Sequence, residues 1–265
     1  MNKAFAQGGV IIGVFIIILW VSNQINWMEL LKVDKVTQDT EEKLGDILWD
    51  VFRKAEREIK DKEAINLLDS VLLRICTANN IDRSNLKLHL LDKDEINAFA
   101  LPGGHLVIFS GLITACENSD ELAGVIAHEV AHITENHVAK KLAKEIGFGV
   151  VTSIAGGTAG AEIIKEAARV LSSSAFDRAI EKDADIKAVD YLVEAKIATK
   201  PFADFLYKRS LDDDDLMNYI SWISTHPNPE ERAQYILEYG STKSFDPTPS
   251  LSESAWAQLE GSIGD

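Results

Sequence analysis

The sequence predicts a mainly helical α+β protein, on three observations. Apolar residues recur at helical spacing in three runs: Leu44, Leu48 and Val51; then Leu68, Val71 and Leu72; then Leu122, Val125 and Ile126. Only residues 86–91 and 107–109 read as strands, so the sheet is expected to be small. The 265 residues, 46% of them hydrophobic, supply one core with appendages rather than several domains. The organisation expected is a transmembrane or signal-anchor segment over 1–28, a linker over 29–43, one folded domain over 44–240 and a flexible acidic tail over 241–265.

At the N-terminus, no charged residue stands between Ala4 and Met28. As a helix this stretch spans about 37 Å, against about 30 Å of bilayer hydrocarbon. Trp20 and Trp27 fall where interfacial aromatics belong. A cleaved signal peptide is the rival, but Val21-Ser22-Asn23-Gln24 offers no small-x-small cleavage site. Lys3 and the α-amino group put positive charge on the N-terminal side. The domain is therefore expected outside the cytoplasm, in the periplasm if the source is bacterial.

Leu44, Ile47, Leu48, Val51, Phe52, Ala55 and Ile59 mark a first amphipathic helix, and Ile65 to Ile75 a second that Asn79-Asn80 breaks. The Pro102-Gly103-Gly104 turn precedes the better of the two strands. Residues 147–161 are glycine- and alanine-rich and uncharged. They are short for a membrane span, and a packed or mobile helical hairpin is expected. Asp212 to Asp215 reads as a solvated loop. Beyond Ser241, serines and prolines indicate a flexible tail whose residues 251–259 dock weakly through Trp256.

A formal net charge of −15 argues against nucleic acid as a partner, since phosphates demand basic patches, and against broad adhesion to anionic lipid. Cys76 and Cys116 lack C-x-x-C spacing, and two separately buried thiols are expected.

The third helical run contains His128-Glu129-Val130-Ala131-His132. Residues four apart on a helix lie about 40° apart around it and about 6 Å apart along it. Both imidazoles then reach one metal ion, with Glu129 beside it. Asn118 to Glu121 reads as a capping box that starts this helix. Two histidines satisfied by core hydrogen bonds are the plainer alternative. His137, nine positions after His128, points about 180° away on a continuous helix and reads as a surface or supporting histidine. A zinc site of this kind needs a third protein ligand and one open position. Glu145, Glu162, Glu166 and Glu181 are the candidates. Ligating histidines usually donate their other N–H to a carboxylate, and only Glu181 has an aspartate, Asp185, one turn later.

Taken together, the motifs resemble the membrane-associated zinc metallopeptidases of the HtpX and CAAX prenyl protease type. They run in that family's order over about residues 44–239: Asn97-Ala98-Phe99-Ala100-Leu101-Pro102-Gly103-Gly104, the Gly111-Leu112 pair, the H-E-x-x-H, then Glu181, Ala184 and Asp185, then Thr225-His226-Pro227 with Arg232 following. The resemblance implies a zincin-like gluzincin fold with a small sheet beside the metal-binding helix. It implies one zinc ion per chain on His128, His132 and Glu181, with Glu129 as general base and Asp185 in support. It assigns oxyanion stabilisation to His226, helped by Arg232. A resting fourth zinc ligand, or a mere turn before a helix at Pro229, are the other roles open to His226. Two departures stand out. His105 occupies a place expected to be bulky and apolar, and a single apolar span argues against prenyl-peptide substrates.

The function expected is zinc-dependent endopeptidase action on membrane or envelope proteins, misfolded ones included, with Glu129 taking the proton from zinc-bound water. An envelope chaperone or scaffold that keeps the zinc fold with little proteolysis is the alternative. The intact Glu129 counts against it. Protein or peptide substrates are expected to add to an edge strand at Asn97, Ala98 and Phe99 through main-chain hydrogen bonds. A turn-capping amide is the competing role for Asn97.

Overall fold

Four short strands form one mixed sheet: β1 (Arg57–Glu58), β2 (Lys87–Asp92), β3 (Ala98–Leu101) and β4 (His105–Phe109). Their order is β1-β2-β4-β3, which leaves β3 at an edge. β4 runs parallel to β2, with Lys87 opposite His105, and antiparallel to β3, with Ala98 opposite Ile108. The computed structural model describes residues 38–211 and 221–263. The expected anchor over 1–28 and the Asp212–Asp215 loop lie outside the described residues.

The tight β3–β4 connection depends on Gly103 and Gly104, whose φ values are +69° and +81°. L side chains rarely adopt that region. A Cβ at Gly104 would also lie 1.9 Å from the Asn85 carbonyl oxygen.

Alternation along the strands feeds two cores. Leu106 and Ile108 join Leu90 and Ala98 on one face, while Val107 and Phe109 join Leu91, Phe99 and Leu101 on the other. Both faces are covered, so β4 is apolar along most of its length rather than alternating with polar residues.

Twelve α-helices surround the sheet among the described residues. They are α1 (Gln38–Ala55), α2 (Lys62–Ala78), α3 (Ser110–Ala115), α4 (Ser119–Thr134), α5 (His137–Ile146) and α6 (Phe148–Ala155). The remainder are α7 (Ala161–Ser173), α8 (Arg178–Glu194), α9 (Lys200–Ser210), α10 (Ser221–Thr225), α11 (Pro229–Ser241) and α12 (Glu253–Ile263). The protein is thus mainly helical with a small four-stranded sheet. Helices α2, α4, α8, α9 and α11 build the first core, and α1, α5, α6 and α7 the second. No helix among the described residues is long and apolar enough to cross a membrane.

Two expectations are corrected here. The first helix stops at Ala55 instead of continuing to Ile59, because Arg57 and Glu58 pair with the edge of β2 and the Ile59 N–H donates to the Leu90 carbonyl at 2.8 Å. The tail is not loose. The Arg74 guanidinium donates to the carbonyl oxygens of Pro249 (2.6 Å) and Thr248 (3.1 Å), and to those of Ala195 (2.9 Å) and Lys196 (3.0 Å). The Ser250 N–H donates to Asp120, and Leu251 and Leu259 are buried in the first core. A serine- and proline-rich composition hides two anchoring leucines and a fork-shaped donor that is distant in sequence.

Candidate active site

Helix α4 carries the H-E-x-x-H, and its start is fixed locally. The Asn118 side chain accepts from the N–H groups of Asp120 (3.1 Å) and Glu121 (3.0 Å). Glu121 reaches back one residue further than a capping box requires, to the Glu117 N–H at 3.0 Å. Gly124 lets α9 lie against α4, since a Cβ there would stand 2.4 Å from the Phe202 Cβ. Helix α8, packed along α4, brings Glu181 and Asp185 to the same point.

There the side chains of His128, His132, Glu181 and His226 converge, one ligand atom from each lying within 4.8 Å of the others. His128 Nε2 is 3.0 Å from His132 Nε2 and 3.2 Å from His226 Nδ1. Glu181 Oε1 is 2.9 Å from His226 Nδ1 and 3.5 Å from His132 Nε2. All four are buried. Glu145, Glu162 and Glu166, the other candidates for the third ligand, are exposed and stand outside the group.

The donor set fits a zinc ion. Tetrahedral coordination at about 2.0–2.2 Å sets neighbouring donors roughly 3.4 Å apart, close to the separations above. Asp185 Oδ1 lies 2.9 Å from His128 Nδ1, and His137 Nδ1 lies 3.1 Å from His132 Nδ1. With protons held on that side, both Nε2 lone pairs face each other, an arrangement that a cation reconciles. Among the described residues Glu181 Oε2 has no hydrogen bond of good geometry, although the Arg232 guanidinium stands 2.8 Å away.

Electrostatics set the charge states in this group. Burial pushes His128 down to about 3, against the pull of Asp185, and also lowers His226. Burial alone would raise Glu181, but the charges of His226 and Arg232 outweigh it and hold the carboxyl well below its ordinary value. The same contest lowers Asp185, where Arg232 and His128 prevail over burial. Glu129 differs. Burial dominates and pushes it up to about 7. Its Oε1 accepts from Trp222 Nε1 at 2.9 Å, and its Oε2 accepts from the Ala100 N–H at 3.0 Å. His226 Nε2 is 3.5 Å from Glu129 Oε1.

Arg232 is engaged on three sides. Its Nε and Nη2 donate to Asp185 at 2.8 and 2.7 Å, and Nη1 donates to the His226 carbonyl at 3.0 Å. Engaged in this way, the guanidinium is turned toward Asp185, Glu181 and the His226 carbonyl. His137 is repositioned. Helix α4 ends at Thr134, and Asn136 adopts a left-handed conformation (φ +53°) that turns His137 back onto His132. A continuous helix would have sent it to the far side.

Three contacts escaped the sequence. Trp222 donates to Glu129, and its place four residues before His226 is its one signal in the sequence. Tyr235, one turn after Arg232, donates to Asp185 Oδ2. Phe176 lies 4.3 Å from the His132 ring and 5.5 Å from that of His226, and its serine-rich surroundings carry no signal.

On the sheet side, the Phe109 N–H donates to the Asn97 carbonyl at 3.0 Å. Odd positions of β3 therefore bond to β4, while the backbone groups of Ala98 and Ala100 face the free edge. Phe99 packs on Phe52 and Phe109, and the Ala98 side chain enters the first core. Asn97 is buried, with Nδ2 3.4 Å from Glu95 Oε1 and no partner for Oδ1 among the described residues.

Comparison with known proteins agrees with this geometry. The pattern of peptidase family M48 matches residues 64–239. A β-barrel assembly-enhancing protease of Yersinia pestis is 27% identical over 238 residues, covering 83% of this chain and 48% of that protein. The mitochondrial metalloendopeptidase OMA1 of Schizosaccharomyces pombe is 26% identical over 173 residues, covering 64% of this chain and 51% of that one. The β-barrel assembly-enhancing protease of Escherichia coli K12 is 32% identical over 102 residues, or 38% of this chain and 21% of that protein. The chain spans about half the length of the first two relatives. With the family pattern matching most of the chain and the H-E-x-x-H helix inside the match, the chain belongs to peptidase family M48.

Proposed function

We propose that this protein is a zinc-dependent endopeptidase that cleaves membrane or envelope proteins. The observation that carries the reading is the buried group of His128, His132, Glu181 and His226, with the Glu129 carboxylate beside it. When bound, zinc lowers the pKa of water and polarises a scissile carbonyl. His128, His132 and Glu181 are the residues that would hold one such ion per chain. Asp185 and His137 fix the two imidazoles from behind, and Arg232 fixes Asp185 and Glu181 in turn. Glu129, oriented at both oxygens by Trp222 and Ala100, accepts the proton of the attacking water and passes it to the leaving amine. His226 donates to the oxyanion through the nitrogen nearer Glu129, and Arg232 acts through the ligands it positions. An extended peptide adds to the free edge of β3 next to Asn97, Ala98 and Phe99.

The substrate class rests on likeness to relatives named for β-barrel assembly, and an extracytoplasmic location, periplasmic if the source is bacterial, on the charge pattern around residues 1–28. The test is casein and membrane-protein cleavage by wild type and Glu129→Gln, with zinc content measured on both. Glu129→Gln is expected to keep about one zinc per chain and to lose at least about 10²-fold in rate. Wild-type turnover by that variant would reject the mechanism. A wild type that binds unfolded protein without cleaving it would favour the chaperone alternative.

A further inference from the structure

A cavity of about 240 Å³ adjoins the ligand group, with His132 among its lining residues. It is smaller than the roughly 300–1,000 Å³ of small-molecule sites, so it suits one side chain better than a whole ligand. Leu101, Ile133 and Val138 give it an apolar part. Glu41 and Glu42, near the start of α1, and Asp82 add three carboxylates, and no lysine or arginine among the described residues lines it.

The cavity sits where a bound peptide would pass. β3 ends at Leu101, which lines the cavity, and the Ala100 N–H one residue earlier already touches Glu129. A strand advances about 3.3 Å per residue. A peptide lying on the free edge of β3 with its scissile bond at Glu129 therefore brings a side chain to the cavity within about two residues.

Among the described residues, no lysine or arginine forms an ion pair with these carboxylates. Burial raises the Glu41 carboxyl above its ordinary value, and the charge of Lys140 offsets only part of this. Glu42 accepts from the Gln38 amide at 3.1 Å, a neutral partner. A long aliphatic stem ending in a cation matches both halves of such a cavity, the apolar part and the acidic rim.

We propose that this cavity is a substrate subsite that selects a lysine or arginine side chain within about two residues of the scissile bond. The inference rests on the peptidase reading above.

The test uses the full chain and a set of fluorogenic peptides carrying Lys, Arg, Leu or Glu at each of the two positions on either side of the cleaved bond. At one position kcat/KM should favour Lys or Arg over Glu by at least about 10-fold, a difference of about 1.4 kcal/mol. In the Glu41→Gln/Glu42→Gln double variant that ratio should fall toward one. The chain's charge of −15 attracts any basic peptide, so a second double variant at Glu194 and Glu253, exposed and outside the cavity lining, both to Gln, serves as control. An equal fall in the control, or no preference in wild type, overturns the proposal. Binding of the same peptides to Glu129→Gln, read by fluorescence anisotropy, keeps the two readings apart. Tighter binding of the basic peptide that is lost with Glu41 and Glu42 supports the subsite even if wild type cleaves nothing, in which case the peptidase reading alone fails.

Discussion

Arg232 grips Asp185 through two hydrogen bonds, Nε to Oδ2 at 2.8 Å and Nη2 to Oδ1 at 2.7 Å, while Asp185 Oδ1 stands 2.9 Å from His128 Nδ1. Both residues are buried, so each charge depends on the other. Removing Arg232 strands the Asp185 carboxylate. Arg232→Ala is expected to cost about 3–5 kcal/mol of stability by urea unfolding. Asp185→Asn should instead act on the metal, weakening zinc affinity by about 10–100-fold in competition with a chelator. Unchanged unfolding of Arg232→Ala would refute the pairing.

His226 presents Nδ1 to the ligand group and Nε2 toward Glu129. As a donor to the oxyanion it matters when charge develops. His226→Ala should then lower kcat by about 10²–10³-fold on a single peptide. A faster variant, prone to cleave itself, would mean that the imidazole occupies the open metal position at rest.

His105 is buried 3.0 Å from His89 and 3.1 Å from Asp46, with Lys87 at 3.2 Å and Trp49 close by. Burial pushes it down to about 4 from an ordinary 6.5. The folded state therefore binds this proton less well than the unfolded chain does. Its neutral form gives full stability above about pH 6.5, and that contribution is lost as pH falls toward 4, by at most about 3 kcal/mol. His105→Phe should show a shallower loss of stability between pH 7 and pH 4.5 than wild type. Parallel curves would rule the assignment out.

The C-terminal helix is part of the core. Leu259 is fully buried, so Leu259→Ala should cost about 2–4 kcal/mol in unfolding experiments. A change under about 0.5 kcal/mol would mean that α12 contributes little in solution.

The elements legible in the sequence were those with local causes. The α4 start was readable because the Asn118 cap lies beside the apolar run that it serves. The pairing of Glu181 with Asp185 was readable because both lie on one turn of one helix. What stayed hidden depends on atoms far apart in the chain. Arg74 meets residues 195–196 and 248–249 only after the fold has closed. The turn at Asn136 overrides a helical count that would have carried His137 away. Phe176 stands alone among serines, and nothing near it in sequence announces the two imidazoles that it covers.

That cover has a pharmacological consequence. Phe176 lies over His132 and His226, and its N–H donates to the Thr225 carbonyl at 3.0 Å, joining the approach to α8 with the end of α10. None of His128, Glu129, His132, Glu181 and His226 is more than 1% exposed. On the zinc peptidase reading, a chelating inhibitor such as a peptidyl hydroxamate is expected to engage only after Phe176 moves. Progress curves with such compounds should bend over time, and their onset rate should level off at high concentration, at a ceiling set by the protein rather than by the drug.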